Sequence, residues 1–65
     1  MPGTQSIPKR DLILLLNANT SYWESSRIRP GKWKTFAKTP VGPIRASATN
    51  ERQAMENLCK RLGLL

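Results

Sequence analysis

Between Arg27 and Arg45 the chain carries six basic residues and no acidic one: Arg27, Arg29, Lys32, Lys34, Lys38 and Arg45. Three of the lysines alternate through Lys32-Trp33-Lys34-Thr35-Phe36-Ala37-Lys38. In an extended strand, successive side chains point to opposite faces. Lys32, Lys34, Phe36 and Lys38 then share one face, and Trp33, Thr35 and Ala37 the other. The first face is a basic row interrupted by an aromatic ring, which suits a polyanion. Lysines and arginines there would hold phosphates, and Phe36 would stack on bases or wedge a groove. Arginine could also read guanine edges. The bland alternative is a solvated edge strand whose lysines prevent sheet-to-sheet aggregation.

Catalysis lacks its parts. The chain has no histidine, which removes Ser-His-Asp and Cys-His catalysis, His-containing zinc sites and simple pH switching near neutrality. Cys59 is the single cysteine. It falls on an apolar helix stripe and reads as a buried, inert thiol. Asp11, Glu24, Glu51 and Glu56 are scattered and form no acid pair or metal cluster. Pro40-Val41-Gly42-Pro43 has too few glycines for a phosphate cradle. No enzyme, metal or cofactor is expected.

The chain's 65 residues and net charge of +7 bound the rest. A chain this short buries only about 60% of its unfolded surface, so one small domain is expected and a deep cleft is not. The charge excess attracts phosphates, anionic surfaces or acidic proteins. One cysteine rules out an intramolecular disulfide and fits a reducing, cytoplasmic compartment. Leu12-Ile13-Leu14-Leu15-Leu16 is far short of the ~20 residues a membrane span needs. It is also too short for the apolar region of a signal peptide. With Met1 in place and no tag, a whole, very small gene product is expected.

The elements follow from pattern and punctuation. Residues 1–8 read as a loose N-terminal arm and 9–65 as the domain. Lys9 and Arg10 at the end of the arm could reach nucleic acid, although an ordinary tail is the simpler reading. Lys9 to Ala18 is a helix, capped by Ser6 or Asp11, or a buried strand. A short run that is apolar on every side does not separate the two. Asn17, Asn19, Thr20 and Ser21 form a turn. Tyr22 to Arg29 and Lys32 to Thr39 form a hairpin around Pro30-Gly31. After the Pro40–Pro43 break, Ile44 to Ala48 is a third strand.

The C-terminal helix has clear ends. Thr49 or Asn50 caps it, Glu51 suits its positive end, and Lys60 and Arg61 suit its last turn. Ala54, Met55, Leu58, Cys59 and Leu62 form its apolar stripe. Gly63 terminates it, with Leu64 placed for the accompanying contact. The fold class is α+β: a three-stranded antiparallel sheet packed on a C-terminal helix, with an N-terminal Leu-rich helix or extra strand. The other sheet face stays open. Trp33 would pack on Met55 and Leu58. Trp23 shares a face with Ser25, Arg27 and Arg29, either beside the basic surface or closing one end of the core. Tyr22 and Ile28 would then point toward the helix.

Tyr22 to Leu62 resembles the β-β-β-α DNA-binding modules of AP2-type factors and phage integrase arm-binding domains. The Gly31-Lys32-Trp33 hairpin, the Ile44–Ala48 strand and the Thr49–Ala54 helix opening carry the likeness. It implies a sheet that enters the major groove of DNA. If Lys9 to Ala18 is a helix, the whole chain looks like a double-stranded RNA-binding domain. Ala46 to Ala54 then falls where that family has a small-residue turn and a Lys-Lys pair opening the last helix. Here Arg52 is the basic residue and Glu51 is acidic. The β-β-β-α order is also loosely similar to HicB-type antitoxin domains, which implies a protein-interaction module gripping an acidic partner.

Taken together, these features predict a small nucleic-acid-binding protein, DNA ahead of RNA, acting by occupancy or DNA bending as a phage- or plasmid-type regulator or recombination accessory. Its expected site residues are Trp23, Arg27, Arg29, Lys32, Lys34, Phe36, Lys38 and Arg45. A homodimer through Leu12–Leu16 or Leu64-Leu65 would enlarge a small contact area. No membrane partner is expected.

Overall fold

The computed structural model describes residues 7–65. The element order is α1 (Lys9–Asn19), β1 (Tyr22–Arg29), β2 (Lys32–Thr39), β3 (Gly42–Ala48) and α2 (Glu51–Arg61). The strands form one antiparallel sheet in the order β1-β2-β3, which puts the lysine-bearing strand in the centre. Of the expected N-terminal arm, residues 1–6 lie outside the described residues. Ile7 packs against the core, and its carbonyl accepts from Arg52 Nη1 at 3.0 Å.

The Leu-rich segment is a helix. Leu12 and Leu16, one turn apart, are fully buried, whereas Leu14 between them is 64% exposed. A buried strand would not expose one member of such a run. Pro8 occupies the N-cap position, and no side chain caps the helix. Proline's missing N–H is no loss there, because the first helical amides have no intrahelical partner. Asp11 sits in the first turn, where its charge suits the positive end of the dipole. The helix runs through Asn17 and Asn19, so the expected turn narrows to Thr20 and Ser21.

Pro30-Gly31 closes the β1–β2 hairpin, with Gly31 at φ 78°. That left-handed angle suits the residue after proline in a type II turn and is costly for a side chain. Asn50 caps α2: its side-chain oxygen accepts from the Gln53 amide at 2.8 Å. At the other end, the Leu64 amide reaches the Cys59 carbonyl at 2.9 Å and the Gly63 amide reaches that of Lys60 at 3.0 Å. This pair is the Schellman closure that Gly63 implies.

Both helices lie on one face of the sheet. Trp23 Nε1 on β1 donates to Asn17 Oδ1 of α1 at 2.7 Å. Thr35 Oγ1 on β2 donates to the Ala54 carbonyl of α2 at 2.9 Å. The core between sheet and helices joins Leu12, Leu16, Ala37, Ala46, Met55, Leu58 and Cys59. Among the described residues, no helix lies over the opposite sheet face. Among the described residues, no helix is long and apolar enough to cross a membrane.

Candidate nucleic-acid interface

Strand register sorts the expected site residues into two faces. On β2, Thr35 and Ala37 are buried under the helices, and Lys34 and Lys38 are exposed on the other side. The central strand thus follows the alternation read from its sequence. Directly paired residues share a face, so β2 assigns its neighbours. Across the open face, Tyr22 lies level with Lys38 and Pro43, Glu24 with Phe36 and Arg45, and Ser26 with Lys34 and Ser47. Arg29 pairs with Lys32 at the hairpin end.

Four placements on this map correct the expectations. Trp23 pairs with Ala37, so it lies on the helix side and packs against the core. It closes that end of the core and does not border the basic face. Arg27 pairs with Trp33, also on the helix side, and is separated from the lysine row. A register shift between Arg27 and Arg29 inserts one residue, which returns Arg29 to the open face. Ile28, at that irregularity, is 53% exposed instead of pointing to the helix. Tyr22, expected toward the helix, stands on the open face.

Trp33 is half-buried but lies outside the apolar cluster and does not join Met55 and Leu58. Its register explains this. Trp33 is level with Ala48, just before α2 begins, and the helix meets the sheet one step further along, at Thr35.

Phe36 is the centre of the open face. The Tyr22 ring meets it edge-on, with centroids 6.2 Å apart and planes at 61°. Arg45 Cζ lies 5.8 Å from the Phe36 centroid, within the range of a cation–π contact. The Tyr22 hydroxyl donates to the Glu24 carboxylate. That hydrogen bond and the carboxylate's charge push the Tyr22 phenol above its ordinary value. Tyr22 is the site member that sequence reasoning missed. Its neighbour Trp23 is equally aromatic, so residue type could not tell which of the two faces inward.

A cleft of about 720 Å³ opens at the end of this face, between the α1–β1 loop and the β2–β3 turn. Phe36, Lys38, Pro43 and Arg45 line its sheet side, and Asn19, Thr20 and Ser21 its loop side. A smaller depression of about 240 Å³ lies on the other side of the ring, lined by Glu24, Lys34, Thr35, Phe36 and Arg45.

The charges divide by face as well. On the helix side, Lys9 Nζ meets Glu51 at 2.5 Å, and Arg52 and Lys60 meet Glu56 at 2.7 and 3.2 Å. Among the described residues, no carboxylate forms an ion pair with Arg29, Lys32, Lys34, Lys38 or Arg45. Cys59 lies on the buried stripe of α2, and burial, with the Glu56 charge second, pushes its thiol up. The chain matches no protein-family model, no curated protein and no solved structure.

Proposed function

We propose that this protein binds nucleic acid through its open sheet face and the β1–β2 hairpin, acting by occupancy as a small regulator or recombination accessory. One observation carries the reading. Lys34, Phe36 and Lys38 stand in a row on the central strand, beside Arg45, and no helix among the described residues lies above them. Lysines on an edge strand protect the sheet from aggregation. Lysines on a central strand have no edge to protect, so that alternative loses its physical basis here. What remains is an uncompensated cationic surface with an oriented ring in its middle. Lys34, Lys38, Arg45, Lys32 and Arg29 hold phosphates in this reading, and Phe36 meets bases.

Duplex-RNA binding has one observation in its favour. With α1 a helix, the order α-β-β-β-α is that of the double-stranded RNA-binding domains. The cation at the matching helix opening is engaged elsewhere, however. Arg52 donates to Ile7, Glu56 and Gln53 at 3.0, 2.7 and 3.2 Å. A guanidinium held by three internal acceptors is poorly placed to hold a phosphate as well.

The test is a fluorescence-anisotropy titration against duplex DNA, single-stranded DNA and duplex RNA at two salt concentrations. Binding through phosphates weakens steeply with salt, with a logarithmic slope of about 0.9 per neutralised phosphate on duplex DNA and about 0.7 on single strands. Binding of none of them at low salt would overturn the reading and turn the search to an acidic protein partner by pull-down.

A further inference from the structure

Resting on that reading, we infer that the preferred ligand is a single strand of nucleic acid, with an unstacked base seated against the Phe36 ring. The open face has the composition of a stacking platform. Its centre is the Phe36 ring, with the Tyr22 ring 6.2 Å away at a steep angle and the Arg45 guanidinium over one face. Inside a duplex, base faces are covered by their neighbours, so a protein ring set among cations gains little there. In a single strand every base offers a π-face, and stacking on protein aromatics is the usual mode of recognition.

The relief of the surface points the same way. Phe36 and Arg45 line both depressions and so form the ridge between them. Lys38 borders the larger hollow and Lys34 the smaller. Four residues of strand separate these lysines by about 13 Å. A strand laid along β2 would thus meet a cation, a hollow, a ring, a second hollow and a second cation in turn. The larger hollow, about 720 Å³, is within the usual size range of small-ligand pockets and has room for a nucleobase. Reading base edges in a duplex groove needs well-placed polar side chains. Apart from the cations and the tyrosine hydroxyl, the polar side chains paired across this face are Ser26, Ser47 and Glu24, and Glu24 already accepts from Tyr22.

The experiment compares a labelled single strand with a duplex carrying the same number of phosphates, at one low salt concentration. Wild type is measured beside Phe36→Leu, which keeps apolar bulk without a π-face, and Phe36→Trp, which restores one. Thermal melts establish that each variant is folded. The expected result is tighter binding of the single strand. Phe36→Leu then weakens it by about 5- to 160-fold, the range for one base stack, and weakens duplex binding by less. Phe36→Trp stays close to wild type. Equal or tighter binding of the duplex, or a Phe36→Leu protein that still binds the single strand as wild type does, overturns the single-strand inference and leaves nucleic-acid binding standing. Binding of neither ligand overturns both. Should Phe36→Leu fail to fold, the wild-type preference decides alone.

Discussion

The two faces of the sheet obey opposite rules. Under the helices the sheet contributes small groups, with Thr35, Ala37 and Ala46 buried. The bulk comes from Leu12, Leu16, Met55 and Leu58 on the helices. Small strand residues let α2 approach closely enough for the Thr35 hydroxyl to reach a helix carbonyl. On the open face the sheet itself carries the long side chains, and no helix among the described residues packs on them. Charge divides in the same way. Glu51 and Glu56 engage Lys9, Arg52 and Lys60 around the helices. The one acid among the cross-strand partners of the open face, Glu24, is hydrogen-bonded by a tyrosine. Two of the acids are thus engaged in ion pairs of the helices, and the open face keeps cations with no such partner among the described residues.

The largest effect should come from attacking the covered face. Leu58 is fully buried between α2 and the sheet. Leu58→Ala removes its contacts and leaves a cavity, at a cost of about 2–5 kcal/mol. A chain of this size has a total stability of only about 3–10 kcal/mol. Urea denaturation should therefore show a strongly lowered midpoint or, at the low end of that range, a protein already largely unfolded. A loss under about 1 kcal/mol would mean that the core closes over the gap, and the contrast between the faces would weaken.

The complementary change leaves the fold and removes the binding. Lys34→Glu with Lys38→Glu reverses two exposed charges on the central strand. Such surface changes usually move stability by no more than about 0.5 kcal/mol. Nucleic-acid affinity should be lost at moderate salt. The milder pair Lys34→Gln and Lys38→Gln should lower the logarithmic salt slope by about two, one for each phosphate contact. An unchanged slope would place the interface elsewhere on the molecule.

A smaller and more local effect is expected at Thr35. Its hydroxyl donates to the Ala54 carbonyl at 2.9 Å and lies 3.3 Å from that of Ala46. Thr35→Val keeps the shape and removes the donor. Stability should fall by about 1 kcal/mol, the net worth of one buried hydrogen bond. Binding should not change, because the residue faces away from the lysine row. A binding defect in this variant would show that the two faces are coupled through β2.

How much of this was legible in the sequence depended on how clearly each segment alternated. In β2, Lys34, Phe36 and Lys38 alternate with Trp33, Thr35 and Ala37, and both lysines share one parity, so Lys34, Phe36 and Lys38 fall on one face together. In α2, Asn50 and Gly63 mark both ends chemically. β1 offers no such pattern. Tyr22 and Trp23 are adjacent aromatics, Ser25 and Ser26 adjacent serines, and the irregularity before Arg29 changes the phase. Read from sequence, its faces come out reversed, which puts Trp23 and Arg27 on the basic surface and hides Tyr22. The run Leu12–Leu16 is apolar all round, and only tertiary packing chooses which side is buried. The α1–β1 loop that walls the larger cleft is brought there by the closure of the whole domain, which no local pattern encodes.

The smallest effect concerns acid. The ammonium of Lys9 and then the hydroxyl of Ser25 hold Glu51 below the ordinary carboxylate range. Arg52 and then Lys60 do the same for Glu56. A carboxyl whose folded pKa lies below its unfolded value of about 4.3 binds its proton more readily in the unfolded chain. Its contribution to stability is complete above that unfolded value and is lost as pH falls through the folded one. Melting temperature should therefore hold from neutrality down to about pH 5 and decline below it. Partly exposed ion pairs of this kind contribute about 0–1 kcal/mol each, so the decline should be shallow. Glu51→Gln should lower the neutral plateau slightly and flatten the acid limb, because the variant has already lost what acid removes. If Glu51→Gln melts in parallel with wild type at every pH, the Lys9–Glu51 pair contributes nothing to the stability of the fold.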